Sequence, residues 1–355
     1  MAAQPTLFIG TYTSLGSLGI YTCHMDPATG ALEQIAVSGE ITDPSFLAID
    51  PSGQHLYAVA EIADVKGEGG VYAYSINAEG SLTFLNKQST RGPGPCHLAV
   101  DATDSYLIVA NYAGGSVCTL PIGPDGHLQE RSHFIQHEGS SINPDRQTEA
   151  HAHSINIDPS NARAYVCDLG MDQVLVYRID RDNQRLELDE SLTVQAEPGH
   201  GPRHFDFHPS GDHCYALNEI GSTVAVYDYD GQSGRLTGKQ LISTLPDGWD
   251  GNNGTADVHV SADGRFLYAS NRGHDSIAIF AINPATGKLA PIGHESTRGK
   301  TPRNFALSLD GRFLLAANQD SANIVTFAVD SETGQLESTG DEIEIPAPVC
   351  IKFMP

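Results

Sequence analysis

The chain is short of positive charge. Lys and Arg together number 20 against 44 Asp and Glu, a formal net charge of −24 over 355 residues. That field repels nucleic acid and anionic membrane, so neither is expected as a partner. Long hydrophobic runs are also missing. The longest, such as Phe266-Leu267-Tyr268-Ala269 and Phe313-Leu314-Leu315-Ala316-Ala317, are far too short to span a bilayer. No stretch of useful length carries a helical period. The six cysteines (Cys23, Cys96, Cys118, Cys167, Cys214 and Cys350) show no C-x-x-C spacing, and several lie inside apolar strand patterns. They read as reduced thiols of a cytoplasmic protein. The segment Met1-Ala2-Ala3-Gln4-Pro5 has no basic region ahead of an apolar core, so no signal peptide is read there.

What the chain does have is turns, with 36 Gly and 20 Pro, and a repeat of about fifty residues. The phrase is a short strand, a turn like Asp-Pro-Ser-Gly, a strand like Leu-Tyr-Ala-x-Asn, a second turn, then Val-x-Val-Tyr. Its first turn falls at Gly53, Asp104, Asn161, Gly211, Gly264 and Gly311. Alternating β-branched and aromatic residues between Gly, Asp and Asn turns predict hairpins. Second strands are expected at 56–60, 106–110, 164–167, 214–217, 266–270 and 313–317. Six full units are visible. The C-terminal Pro348–Phe353 matches an innermost strand, and the N-terminal residues supply the other three strands of a seventh unit. The expected fold is all-β, a seven-bladed β-propeller with four antiparallel strands per blade. Its ring closes through N- and C-terminal strands in one blade, which removes the free sheet edge. A single domain over residues 1–355 is expected.

A propeller by itself implies no function. In a blade, the start of strand one and the end of strand two share an end. The first ring of positions reads Ser45, Cys96, His153, Arg203, Asp257, Arg303 and Val349. The second reads Tyr12, Glu61, Tyr112, Leu169, Glu219, Arg272 and Gln319. His97, His204 and Asn304 lie beside the first; Asn111, Asp168, Asn218, Asn271 and Asn318 lie beside the second. Three arginines, a histidine and carboxylates at equivalent positions suit a site for an anionic substrate. The Asn series reads as turn caps and His208 as a turn residue. Arg265 and Arg312 read as solvated. His151 and His153, two apart, would share a face as a metal pair if extended. The long connections 136–150 and 246–256, the second holding Trp249, the only tryptophan, have the length of functional lids.

At these residues the sequence resembles the bacterial 6-phosphogluconolactonase family of seven-bladed lactonase propellers, which also includes fungal carboxy-muconate lactonizing enzymes. The resemblance covers essentially the whole chain. Its carriers are Phe8-Ile9-Gly10-Thr11-Tyr12-Thr13, Ala152-His153-Ser154, Gly201-Pro202-Arg203-His204-Phe205, Leu217-Asn218-Glu219 and the segment from Tyr268 to Ile277 containing Asn271-Arg272-Gly273-His274. It implies a site of His153, Glu219, Arg203 and Arg272, with His204, Arg303, Asp257, His274 and Asn218 expected to bind substrate. Asp257 stands where the family usually shows Glu, with shorter reach. The implied reaction is hydrolysis of 6-phosphoglucono-δ-lactone, a small anionic sugar lactone, in the pentose phosphate pathway. His153 or Glu219 would act as base, and the arginines would stabilise the oxyanion and anchor the phosphate. No cofactor or metal is expected, and the protein is expected as a monomer or weak homo-oligomer. The alternatives are a lactonizing isomerase, a metal-dependent sugar lactonase using groups such as Glu61, Asn111, Asn218 and Glu219, and a non-catalytic binding scaffold.

Overall fold

The computed structural model describes residues 4–62 and 69–355. The reading of Met1-Ala2-Ala3 lies outside the described residues. Strands fill the chain. Among the described residues the one helical element is a 3-10 turn, Thr13–Leu15, and no helix is long and apolar enough to cross a membrane.

The strands form seven antiparallel sheets in succession. Blade one comprises Leu47–Ile49, His55–Ala60, Gly70–Ile76 and Leu82–Ser89. Blade two comprises Pro95–Val100, Tyr106–Asn111, Ser116–Pro121 and His133–Gln136. Blade three begins with Ala152–Ile157, Arg163–Asp168 and Gln173–Asp180. Blade four comprises Pro202–Phe207, His213–Asn218, Thr223–Asp230 and Arg235–Ser243. Blade five comprises Gly254–Val260, Phe266–Arg272, Ser276–Ile282 and Leu289–Ser296. Blade six comprises Pro302–Leu307, Phe313–Asn318, Asn323–Val329 and Leu336–Glu344. The seventh sheet runs Pro348–Phe353, Thr6–Thr11, Ile20–Met25, Leu32–Ser38, with Leu7 opposite Phe353 and Ile9 opposite Ile351. The expected closure of one blade by both chain ends is therefore present.

Blade three departs from the expected four strands. Its outer position is split between Arg185–Leu188 and Val194–Gln195, both paired with Gln173–Asp180. The cause is local turn chemistry. The Asp189 carboxylate accepts from the Ser191 N–H and hydroxyl, and Leu192 N–H bonds back to the Asp189 carbonyl. Asp189 N–H still bonds the Val176 carbonyl, and the turn lifts residues 190–193 off the ladder.

The repeated turn has one physical basis. Gly53, Asp104, Asn161, Gly211, Gly264 and Gly311 all hold φ between +56° and +76°, a region open to Gly and tolerated by Asp and Asn. The preceding Asp50, Asp101 and Asp158 each accept two backbone N–H groups from the following strand entry. His208 fills that place in blade four, bonding the Ser210 hydroxyl and the Gly264 carbonyl, as expected of a turn residue.

Two compact units make up the chain: residues 38–205, and residues 1–37 with 206–354. In the first, an apolar cluster including Tyr106, Ile108, Ile155, Val166, Leu175 and Tyr177 packs blade two against blade three. In the second, clusters join blades four and five, blades five and six, and blade six and the closing blade. All six cysteines are buried free thiols. Burial pushes those of Cys23, Cys118 and Cys167 up to about 12, in line with thiols acting as hydrophobes.

Candidate active site

The residues aligned at the start of strand one share a structural feature that periodicity does not reveal. Pro95 pairs with Asn111 and His97 with Ala110, which leaves Cys96 as a bulge. Likewise Ala152 pairs with Asp168 and Ser154 with Cys167, leaving His153. Arg303 and Val349 are skipped in the same way, and in blade five Ala256 and Asp257 together stand opposite Ser270. A bulge turns one side chain out of the pleat and ends regular pairing, so these positions carry side chains the sheet does not use.

In the unit of residues 38–205, His153 and Arg203 meet. Both are buried, and Arg203 Nη1 donates to His153 Nε2. Cys96 Sγ lies 3.9 Å from His153 Nδ1 and 3.2 Å from the His153 carbonyl oxygen. A set of rings surrounds the pair. Tyr112 and His204 stand edge-on to His153 with centroids at 5.2 and 5.5 Å. His97 packs on His204 at 5.5 Å and stacks on Phe46 at 4.0 Å. Ile155 N–H donates to His97 Nδ1 at 3.3 Å, which fixes that ring. His204, expected to bind substrate, thus sits beside His153. His151 turns elsewhere: its Nδ1 bonds the Tyr112 carbonyl at 3.0 Å and its ring stacks on Tyr112. Among the described residues no group of three or more His, Cys, Asp or Glu side chains is arranged to hold a metal.

The connection leading to His153 is braced rather than loose. His137 Nδ1 is 2.7 Å from buried Asp168, and Tyr177 OH is 2.8 Å from His137 Nε2. The other Asp168 oxygen accepts from the N–H groups of His151 and Met171. Gln147, wholly buried, donates to the Leu169 carbonyl and accepts from Asn143 N–H. Asp172 accepts from the Ser141 hydroxyl and from the N–H groups of Gly199 and Gly201. One carboxylate therefore ties residues 137–151 to the turn that delivers Arg203. Sequence reading placed Asp168 in a ring without assigning it this role, and it missed Asp172. The signal was there in retrospect: an acid in a Gly-Met-Asp turn two glycines upstream of Pro202.

In the other unit, Glu219 and Arg272 form an ion pair of 2.9 Å, with side chains 6% and 17% exposed. Arg272 also donates through Nε to the Gly254 carbonyl (3.2 Å) and through Nη2 to the Thr255 carbonyl (2.9 Å). Thr255 N–H returns to the Glu219 carbonyl, and its hydroxyl to the Asn218 carbonyl. The second expected lid is shorter than 246–256, because its last residues, from Gly254, join the inner strand of blade five to make these contacts. Asn218 donates to the Thr223 hydroxyl at 3.0 Å, and its buried Oδ1 has no protein partner. His274 lies edge-on to Trp249 at 4.6 Å and packs on His294; burial and then His294 hold its imidazole below the ordinary range. Arg303 lies over the Tyr12 ring at 5.4 Å. Asp257 is drawn into the protein: it accepts from the Asn304 amide and lies 3.0 Å from His259 Nε2.

The sequence matches the family described as "Lactonase, 7-bladed beta-propeller" over residues 6–353. The chain belongs to this family. Its fold is thus the seven-bladed propeller that the seven sheets build, and its chemistry is that of a lactonase. A 6-phosphogluconolactonase of Bacillus subtilis is 37% identical over 98% of this chain and 97% of its own. A Bacteroides fragilis protein, described as a candidate 6-phosphogluconolactonase, superposes with a TM-score of 0.93 at 35% identity, covering 100% of this chain and 99% of that one. A periplasmic gluconolactonase of Pseudomonas aeruginosa gives a TM-score of 0.94 at 33% identity, with 99% of each chain covered.

For a lactonase the two pairs differ in what they offer. Arg272 against Glu219 holds an ionised carboxylate, a proton acceptor, in a defined orientation. Arg203 against His153 holds a guanidinium through a partner that brings no negative charge of its own. The first arrangement suits activation of water, the second suits an anion or a developing oxyanion.

Proposed function

We propose that this lactonase hydrolyses 6-phosphoglucono-δ-lactone to 6-phosphogluconate in the cytoplasm, through His153, Arg203, Glu219 and Arg272 and without a metal. The observation that carries this reading is the buried Arg203 guanidinium seated on an imidazole, in a chain where acids outnumber bases. Water oxygen bonds to the lactone carbonyl carbon as its proton passes to a base. The carbonyl oxygen becomes an oxyanion, and guanidinium N–H groups lower its energy. The ring C–O bond then breaks, and the proton passes to the departing ring oxygen. The product is a carboxylic acid bearing a free hydroxyl, and the acid ionises. Arginine is well matched to the substrate phosphate, because its planar fork binds two oxygens at once.

A second reading is favoured by the likeness to the Pseudomonas aeruginosa gluconolactonase: hydrolysis of the unphosphorylated lactone. Purified protein should be assayed on both lactones, with and without prolonged EDTA treatment. A higher kcat/KM on the phosphorylated lactone, unchanged by EDTA, is expected. Equal turnover of both would reject phosphate recognition. Activity lost to EDTA and restored by Ca²⁺ or Zn²⁺ would reject the metal-free mechanism.

A further inference from the structure

The turn between the second and third strands of a blade holds one left-handed residue. In blades two to six it is Gly115, Asp172, Ser222, Asp275 and Ala322, each with φ between +48° and +56°. In all five the carbonyl of that residue accepts a backbone N–H from the end of the same blade: from His137, Ala196, Thr244, Thr297 and Ile345 respectively, at 2.8–3.0 Å. This bond is the structural duty of the position, and glycine, serine and alanine discharge it as well as aspartate does. The two acids do something more. Asp172 Oδ1 accepts the Gly201 N–H at 2.6 Å, and Asp275 Oδ1 accepts the Thr301 N–H at 2.9 Å. Gly201 and Thr301 each precede a Pro-Arg pair, Pro202-Arg203 and Pro302-Arg303. The innermost strands that follow blades two, four and six carry His153, Asp257 and Val349 at the arginine's place. Among these five blades, the acid thus stands only where an arginine opens the next strand. Each brace lies wholly within one unit: Asp172 with Arg203, and Asp275 with Arg303.

We infer that Asp172 and Asp275 are positioning residues, which fix the backbone entering Arg203 and Arg303 and so set where each guanidinium lies. The inference rests on the proposed function for the kinetic arm of its test only. Proline has no N–H, so the N–H of the residue before it is the last backbone donor ahead of the arginine. Both of these residues are themselves left-handed, Gly201 at φ +65° and Thr301 at φ +59°. That conformation is open to glycine but rare for a β-branched residue, so Thr301 must be held there. A carboxylate holds more firmly than a carbonyl, because a charged acceptor makes the shorter and stronger bond. Where no arginine follows, in Gly94-Pro95-Cys96, the equivalent N–H bonds a plain carbonyl, that of Ile62. Asp172 also accepts from Gly199 N–H and the Ser141 hydroxyl, and Asp275 from Gly273 N–H, which steadies each carboxylate in turn.

The test uses D172G and D275G. Glycine keeps the left-handed turn and its backbone bond, as Gly115 does, and removes only the carboxylate. A322G, at the same turn of blade six, is the control. Misplacing a functional group by about 1 Å can cost on the order of 10² in rate. D172G and D275G should therefore each lower kcat/KM by about 10–10², while A322G leaves it unchanged. Each variant is then repeated without its arginine. If the acid acts through the arginine, D172G in an R203M background, and D275G in an R303M background, should cost less than about threefold more. The same loss in both backgrounds makes the acid a general support of the fold and overturns the inference, as does full activity of both single variants. Asp275 is less buried than Asp172, so D275G keeps the question open to refutation if D172G does not fold. Crystal structures of the two variants form the second arm. Arg203 and Arg303 guanidinium groups displaced by about 1 Å or more are expected; groups in their wild-type places overturn the inference. If the wild type turns over neither lactone, the functional reading fails, while the crystallographic arm still decides what the two acids hold.

Discussion

Replacing Arg272 by alanine should damage stability as well as turnover, and the two effects can be separated. Arg272 pairs with a Glu219 carboxylate that is 6% exposed, and it bonds two carbonyls, those of Gly254 and Thr255. Removing one partner of a buried ion pair typically costs about 3–5 kcal/mol, because the other charge stays buried. The lost bonds to carbonyls are smaller contributions and fall within that range. At roughly 2 °C per kcal/mol, R272A should melt about 6–10 °C below wild type. Glu219→Gln retains an acceptor for the arginine and should cost only about 1–2 kcal/mol. In R272A/E219Q the carboxylate that lost its Arg272 pairing is itself gone, so the double variant should be more stable than R272A alone.

Urea unfolding followed by two signals tests this. Far-UV circular dichroism reports the sheets. Fluorescence reports Trp249, the only tryptophan, which lies on the connection that enters Gly254 and packs on His274. In R272A the fluorescence transition should move to lower urea than the dichroism transition, since the anchor lost is the one next to that connection. An R272A protein within about 1 kcal/mol of wild type, with no coupling to E219Q in the double-mutant cycle, would refute the account of Arg272 as a clamp. The same numbers make E219Q the cleaner probe of catalysis, because its loss of turnover would not be confounded by unfolding.

Two further predictions concern the unit that contains the closing blade. Deleting the residues after Pro346 removes Val349, Cys350 and Ile351, all buried, together with the Ile351 N–H bond to Asn304. It leaves Thr6–Thr11 without its inner partner, so cooperative thermal unfolding should be lost; an unchanged melting temperature would sink the closure. The second prediction is at His259. Burial pushes its imidazole down, but Asp257 and then Asp206 outweigh burial and hold it above its ordinary range. A raised folded-state value adds stability below about pH 6.5 that is lost as pH rises through that value. The stability difference between wild type and H259Q should therefore be larger at pH 6 than at pH 8.5 in urea titrations; a difference as large at pH 8.5 would contradict it.

Much of the fold is legible because a repeat multiplies weak local signals. One turn position adopts a left-handed conformation six times, and its residues are Gly, Asp or Asn each time. The second strands match their expected positions to within two residues at each end. What periodicity could not show is the extra residue at Cys96, His153 and Arg303. A bulge breaks the two-residue alternation at one point, and a single residue out of phase looks like noise in a short strand. The split outer strand of blade three escaped for a similar reason, since the turn that Asp189 makes with Ser191 interrupts the ladder for only a few residues. Site composition was readable; pairing was not. Nothing in the order of residues says that Arg272 rests on Glu219, that Arg203 rests on an imidazole, or that Asp172 anchors Gly199 and Gly201.

A chain with net charge −24 is at first sight a poor host for an anionic lactone, and the resolution lies in distance and burial. At physiological ionic strength the Debye length is about 8 Å, so exposed surface acids act weakly on a group farther away than that. A guanidinium in contact with its ligand acts over about 3 Å and, when buried, with little screening. The local term therefore wins, provided the guanidinium is held in place and its charge is not spent on its support. Arg203 meets the first condition through His153. Arg272 is held by a carboxylate, which fixes Glu219 in return. In the proposed mechanism the two arginines therefore differ in their support, an imidazole under Arg203 and a carboxylate under Arg272.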